Sequence, residues 1–206
     1  MPSKTFINLE AEKRKRIVDA TVFEFASKPY EQVMISDIIK KAKIPRGSFY
    51  QYFIDKEDLY IYIIDVIKKE KMTFFESTLK NYNGLKFLDL VRKLYEEGVQ
   101  FALKYPRYVK IMDFLMKNKN PLYDKIMAEN VLYAEKVYAN LIDQDKAKGY
   151  IREDIDSLTF AKIIVQLTTN IAVEELDIDN EEESFKRMLE RNNQILKIIE
   201  YGVLKG

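Results

Sequence analysis

The sequence predicts an all-α protein, with a small three-helix head at its N-terminal end and a larger helical bundle behind it. Three observations carry that prediction. Apolar residues recur at helical rather than strand spacing along nearly the whole chain. Glycine and proline are sparse, 6 and 5 among 206 residues, and most fall where helices would start or stop. A composition of 47% hydrophobic and 33% charged residues suits an ordered helical chain, not a disordered one.

The first helix is expected from about Glu10 to Ser27, with Ile17, Ala20, Phe23 and Ala26 on one face and Lys28-Pro29-Tyr30 ending it. Ser36 to Ala42 reads as a compact second helix, Lys43-Ile44-Pro45 as a tight turn, and the residues from Arg46 as a short third helix. Asp55 is a good N-cap for a fourth helix reaching about Leu79 through Leu59, Ile63, Val66 and Ile67. Asn83-Gly84 breaks the chain before a fifth helix, Leu85 to about Tyr105. Pro106 suits the first turn of a sixth, which carries Val109, Met112, Phe114 and Met116. Asn120-Pro121, a cap followed by a first-turn proline, opens a long seventh helix that runs to Lys148 and stops at Gly149. The eighth begins near Asp156 and carries Leu158, Ala161, Val165, Thr168 and Ala172. The ninth begins at Asn180, with acids in its first turn that favour the positive end of the helix dipole. Its stripe is Phe185, Met188, Leu189, Asn192, Ile195, Leu196, Ile199 and Val203.

Two short helices joined by a few residues describe a helix-turn-helix, whose second helix enters the DNA major groove. Here that helix lies in Ile44-Pro45-Arg46-Gly47-Ser48-Phe49-Tyr50-Gln51-Tyr52-Phe53, where basic, small and hydroxyl residues alternate with aromatics. Arg46 can reach a guanine edge or a phosphate. Gly47 lets the helix start come close to the duplex, and Ser48 and Gln51 can bond base edges. Tyr50 and Tyr52 can donate to phosphates. Lys56 lies where free helix amides also favour a phosphate. Phe49 and Phe53 are expected to pack inward.

This segment, followed by Asp55-Lys56-Glu57-Asp58-Leu59, resembles the recognition helix and following helix start of the TetR family of bacterial transcription regulators. The resemblance covers about residues 12 to 60, with Phe23, Ile38, Ala42, Gly47, Tyr50, Phe53, Lys56 and Leu59 at the family's spacings. It implies duplex contacts by Arg46, Gly47, Tyr50, Tyr52 and Lys56. Two positions depart from the pattern. Met34-Ile35 stands where the family often has Ser or Thr before the second helix, so Ser36 is expected to take over that cap and phosphate role one residue late. Pro45 removes a capping hydroxyl at the start of the third helix.

The chain has no cysteine and no histidine, which excludes disulfides and thiolate metal sites and removes the usual general base, metal ligand and pH switch. The acids from Asp177 to Glu183 lack the glycine and spacing of a calcium loop and fit a helix start better. No cofactor and no metal are therefore expected. No signal peptide is visible, and no apolar run nears the ~20 residues of a spanning helix, so a cytoplasmic protein without a membrane partner is expected. Residues 1–56 carry 11 Lys or Arg against 7 Asp or Glu, whereas 57–206 carry 23 against 26. A basic head on an acidic body suits a DNA-reading domain at 1–56 and an effector-binding and dimerisation domain at 57–206. The basic run Lys13 to Arg16 reads either as flanking-phosphate contacts or as a solvated helix face.

The body holds 11 tyrosines, 7 phenylalanines and 5 methionines, which can enclose an apolar cavity or simply fill a core. Met112, Met116, Tyr123, Met127 and Phe160 are the candidate pocket residues. Gln166 and Asn170 interrupt the most apolar helix and either line that pocket or meet a partner helix. The expectation is a homodimeric repressor that pairs through the eighth and ninth helices. It would bind a near-palindromic double-stranded operator and leave it on binding a small apolar effector. The competing reading is a helical enzyme or ligand-binding module with a vestigial head.

Overall fold

The structure, a computed structural model, describes residues 2–81, 84–117, 121–177 and 180–203. These form ten α-helices and one 3-10 turn, with no strand among them. The expected break at Asn83, the cap at Asn120 and the side chain of Val203 lie outside the described residues. No helix among them is long and apolar enough to cross a membrane. The chain divides into two compact units, one of residues 1–73 and 105–119, the other of 74–104 and 120–206.

The first unit holds α1 (Lys4–Ile7), α2 (Ala11–Ser27), a 3-10 turn (Tyr30–Gln32), α3 (Ile35–Ala42) and α4 (Arg46–Tyr52). It also takes the first part of α5 (Lys56–Lys80) and all of α7 (Pro106–Lys117), which packs on α2. Its core gathers Phe6, Ile17, Phe25, Ile38, Phe49, Phe53, Leu59 and Tyr60, all at most 2% exposed. Phe23 is not in it. The series Ile17, Ala20, Phe23, Ala26 steps by three, short of a 3.6-residue turn, and drifts around the helix. Phe25 takes the core position, and Phe23 stays 38% exposed under the Lys41 ammonium, 3.4 Å from its ring centroid.

Asp55 caps α5 as expected, its Oδ1 accepting from the Asp58 amide at 2.8 Å, while Asp58 Oδ2 accepts from the Ile54 amide. No helical periodicity marks α1 in the sequence. Four residues cannot hold a helix on their own, and this one is held by tertiary contacts.

The second unit holds the end of α5, α6 (Phe87–Lys104), α8 (Pro121–Ala147), α9 (Ser157–Glu175) and α10 (Glu181–Val203). Phe87, Leu88 and Val91 of α6 meet Ile142 of α8, Phe160, Ala161 and Ile164 of α9, and Leu196 of α10 in one buried cluster. Asp145 ties α8 to the start of α6, accepting from the Phe87 amide at 2.6 Å. Gly149, at φ 74°, ends α8 where a left-handed residue is required. Asp156 caps α9, accepting from the Thr159 amide at 2.8 Å.

Candidate nucleic-acid interface

The α3–α4 pair is built around a left-handed turn. Lys43 takes φ 52°, and the Ile44 amide donates back to the Ile39 carbonyl while that of Lys43 donates to Lys40. This pattern closes α3, and Ile44 sinks into the core behind it. Pro45 then starts α4 from extended backbone with no side-chain cap.

On α4 the side chains divide cleanly. Arg46, Gly47, Tyr50 and Gln51 are exposed and Ser48 is half-buried, while Phe49, Tyr52 and Phe53 are buried. Spacings of one, four and five residues from Arg46 put the exposed set on one face. A Cβ added to Gly47 would meet nothing within 4 Å, so the protein's own packing does not require glycine there. Tyr50, 52% exposed, stands edge-on to Phe49 with centroids 5.2 Å apart.

Two residues expected on this surface are elsewhere. Tyr52 is 3% exposed, its ring lying 5.8 Å from that of Phe6 and the Lys13 ammonium 5.9 Å above it. It falls on the buried side because it is three residues from Phe49 on a 3.6-residue turn. Lys56 turns its ammonium inward. It donates to the carbonyls of Tyr30 at 2.8 Å, Val33 at 3.0 Å and Glu31 at 3.3 Å, and so closes the 3-10 turn. Burial lowers its pKa below the ordinary lysine value, partly opposed by Glu31.

Ser36 does not cap α3. Met34 holds that position without a side-chain bond, and Ser36 sits exposed in the first turn. The basic run does structural work. Arg14 donates to the Ile7 carbonyl at 2.6 Å and Arg16 Nε to the Ala42 carbonyl at 2.9 Å, each satisfying a carbonyl at a helix C-terminus. Sequence reasoning also missed Ser3 and Phe6, which pack on the end of α4; the only signal was a serine three residues before a large apolar side chain.

The candidate pocket residues are divided between the two units. Phe160 belongs to the filled core of the second unit, 5.8 Å from the Phe87 ring. Gln166 and Asn170 are exposed on α9, on the face that also carries Leu158 and Ile163. Tyr123 and Met127 are half-buried on α8, and Met112 and Met116 are half-buried on α7 in the first unit. The second unit instead has a groove of about 430 Å³ between α6 and α10, lined by Lys93, Glu96, Glu97, Gln100, Leu189 and Asn193. Tyr95 Oη, Glu97 Oε2 and Asn192 Oδ1 are buried with no hydrogen-bond partner among the described residues. Such atoms call for water or a ligand's polar group. No group of three acids able to hold a metal occurs among the described residues.

Residues 17–63 match the family model described as "Bacterial regulatory proteins, tetR family". The uncharacterised HTH-type transcriptional regulator YdgC of Bacillus subtilis is 26% identical over 163 residues, 78% of this chain and 79% of that one. A TetR family transcriptional regulator from Chloroflexus aurantiacus superposes with a TM-score of 0.71 at 29% identity, covering both chains completely. The regulator FadR of Bacillus subtilis, solved with stearoyl-CoA, shares the fold with a TM-score of 0.65 at 16% identity, over 85% of this chain and 97% of that one.

Proposed function

We infer from this chain's membership of the TetR family of bacterial regulatory proteins that it is a ligand-responsive dimeric repressor. The family assignment makes it a transcriptional regulator and not an enzyme. Residues 1–56 would read DNA, through Arg46, Gly47, Tyr50 and Gln51 with Ser36 and Ser48 beside them. The observation that carries the reading is the division of α4 into a buried aromatic side and an exposed side bearing a cation, a glycine, a phenol and an amide. A recognition helix needs one side to fix its angle and another to face base edges and phosphates.

Pairing would use α9 and α10, which leave Leu158 and Ile163 each 44% exposed, Ile198 72% and Tyr201 83%. A two-fold axis through such a face gives a four-helix interface with two heads. Repression would then be steric, on a near-palindromic operator with half-site centres ~34–36 Å apart.

The effector proposed for the helical body is small and largely apolar. The FadR structure with stearoyl-CoA is in keeping with a body of this fold holding an acyl ligand. The unpartnered Tyr95, Glu97 and Asn192 atoms favour an effector with a hydrogen-bonding group as well. It acts only through unequal affinity for the DNA-bound and released states, so operator must weaken effector binding by the factor that effector weakens operator binding. Selection of genomic fragments by the purified protein tests the reading. Recovery of a shared, two-fold symmetric sequence supports it; recovery of random fragments refutes it.

A further inference from the structure

We propose that the segment from Ser3 to Ile7, which precedes the 17–63 region matched by the family model, is a working part of the DNA-reading unit: Ser3 and Phe6 are positioning residues that hold the C-terminal turn of α4. The inference rests on the reading of α4 as the recognition helix.

The physical problem lies in α4 itself. At seven residues it has two turns, and its last carbonyls have no partner within the helix. The Phe49 carbonyl is met by the Phe53 amide at 2.9 Å. Two of those that follow, the carbonyls of Gln51 and Tyr52, are met from outside by one residue. The Ser3 hydroxyl donates to the Gln51 carbonyl at 2.6 Å, and the Ser3 amide donates to that of Tyr52 at 2.9 Å.

The same hydroxyl oxygen accepts from the Phe6 amide at 3.2 Å and so caps α1. One oxygen thus ends the recognition helix and begins α1. The direction of each bond follows, because a hydroxyl has a single proton and that proton is committed to Gln51.

Phe6 fixes this cap in place. It is 1% exposed, with ring centroids 4.7 Å from Phe53, 5.3 Å from Tyr62 of α5 and 5.8 Å from Tyr52. Arg14 of α2 closes the far end by its bond to the Ile7 carbonyl. The short helix therefore joins α2, α4 and α5. Gln51, whose carbonyl Ser3 holds, is also an exposed amide on the reading face. Freeing its carbonyl frays the turn that aims its side chain.

The test compares wild type with Ser3→Ala, Ser3→Thr, Phe6→Leu and Phe6→Ala, with each variant's folding checked by circular dichroism. The readouts are the affinity ratio between the selected site and a scrambled duplex, and amide exchange in the last turn of α4. Ser3→Ala is expected to cut the ratio by about three- to tenfold, the factor one neutral hydrogen bond carries, with scrambled-duplex binding unchanged. Ser3→Thr restores it, Phe6→Leu loses less than Phe6→Ala, and exchange in the last α4 turn quickens in Ser3→Ala. Ser3→Ala and Phe6→Leu are the mild variants that remain informative if Phe6→Ala does not fold. A wild-type ratio and wild-type exchange in Ser3→Ala overturn the proposal. If wild type itself shows no preference for any duplex, the reading of α4 fails first; if it does and Ser3→Ala matches it, only the role of Ser3 fails.

Discussion

The ammonium nitrogen of Lys56 lies 2.8 Å from the carbonyl oxygen of Tyr30 and 4.4 Å from the centroid of the same residue's ring. With the Glu31 and Val33 carbonyls completing its partners, the lysine bonds into the head instead of reaching toward a duplex. Replacing Lys56 with Met should lower the stability of the head by about 1.5–3 kcal/mol, the range of a charged hydrogen bond, in urea denaturation. The salt dependence of DNA binding by the folded variant should match wild type. Unchanged stability with a shallower salt slope would make Lys56 a phosphate ligand after all.

Gly47 separates stability from function. Its missing side chain faces open space inside a helix. Gly47→Ala should therefore stabilise the free protein by about 0.5–1 kcal/mol, since alanine loses less backbone entropy in a helix. It should also weaken operator binding about tenfold or more, because the added methyl occupies the space a duplex approaches. Thermal denaturation and DNA titration on the same preparation decide it; tighter or equal DNA binding contradicts the assignment.

Alkaline pH should unfold the head through Tyr60. Burial, then the charge of Glu31, then Tyr30, push its phenol well above the ordinary value of 10.0. The folded state keeps this proton after the unfolded chain has lost it, so stability is complete below about pH 10 and falls as pH rises toward the folded value. Tyr60→Phe should flatten that fall in urea midpoints measured from pH 8 to 11.5. An equal slope in both proteins would show that another group controls it.

A charge placed on the exposed face of α9 and α10 should separate a dimer. Ile163→Glu with Ile198→Glu puts two carboxylates where the pairing reading places an apolar interface. The dissociation constant should rise about a hundredfold or more in sedimentation experiments, while helicity stays the same. A wild-type protein that is monomeric at micromolar concentration contradicts the pairing.

Much of this was legible where the signal is local. Asp55 as a cap, Gly149 as a stop and Pro106 as a first-turn residue depend only on their neighbours along the chain, and each stands where it was expected. The helix-turn-helix was legible because its turn needs a short run of particular residues. What failed depended on which side of a helix meets which partner. Phe23 left the core because a three-residue rhythm drifts. Tyr52 and Lys56 were assigned to DNA by their chemistry and by resemblance, but Phe6 and the Tyr30 carbonyl claim them. Neither partner is near in sequence, and α1 carried no pattern of its own. In the body, methionines and aromatics serve a core or a pocket equally well. Only the packing shows that Phe160 fills a core and that Gln166 and Asn170 face outward.

The most direct test of the central claim is a salt titration of DNA binding by wild type and by an Arg46→Ala, Tyr50→Ala double variant, on a duplex selected by the wild-type protein. If the exposed side of α4 reads DNA, wild-type affinity falls steeply with salt, and the double variant loses about fiftyfold or more on the selected duplex while staying folded. Equal binding by the two proteins would contradict the account, because an α4 that reads DNA by its exposed side cannot leave both Arg46 and Tyr50 without a role.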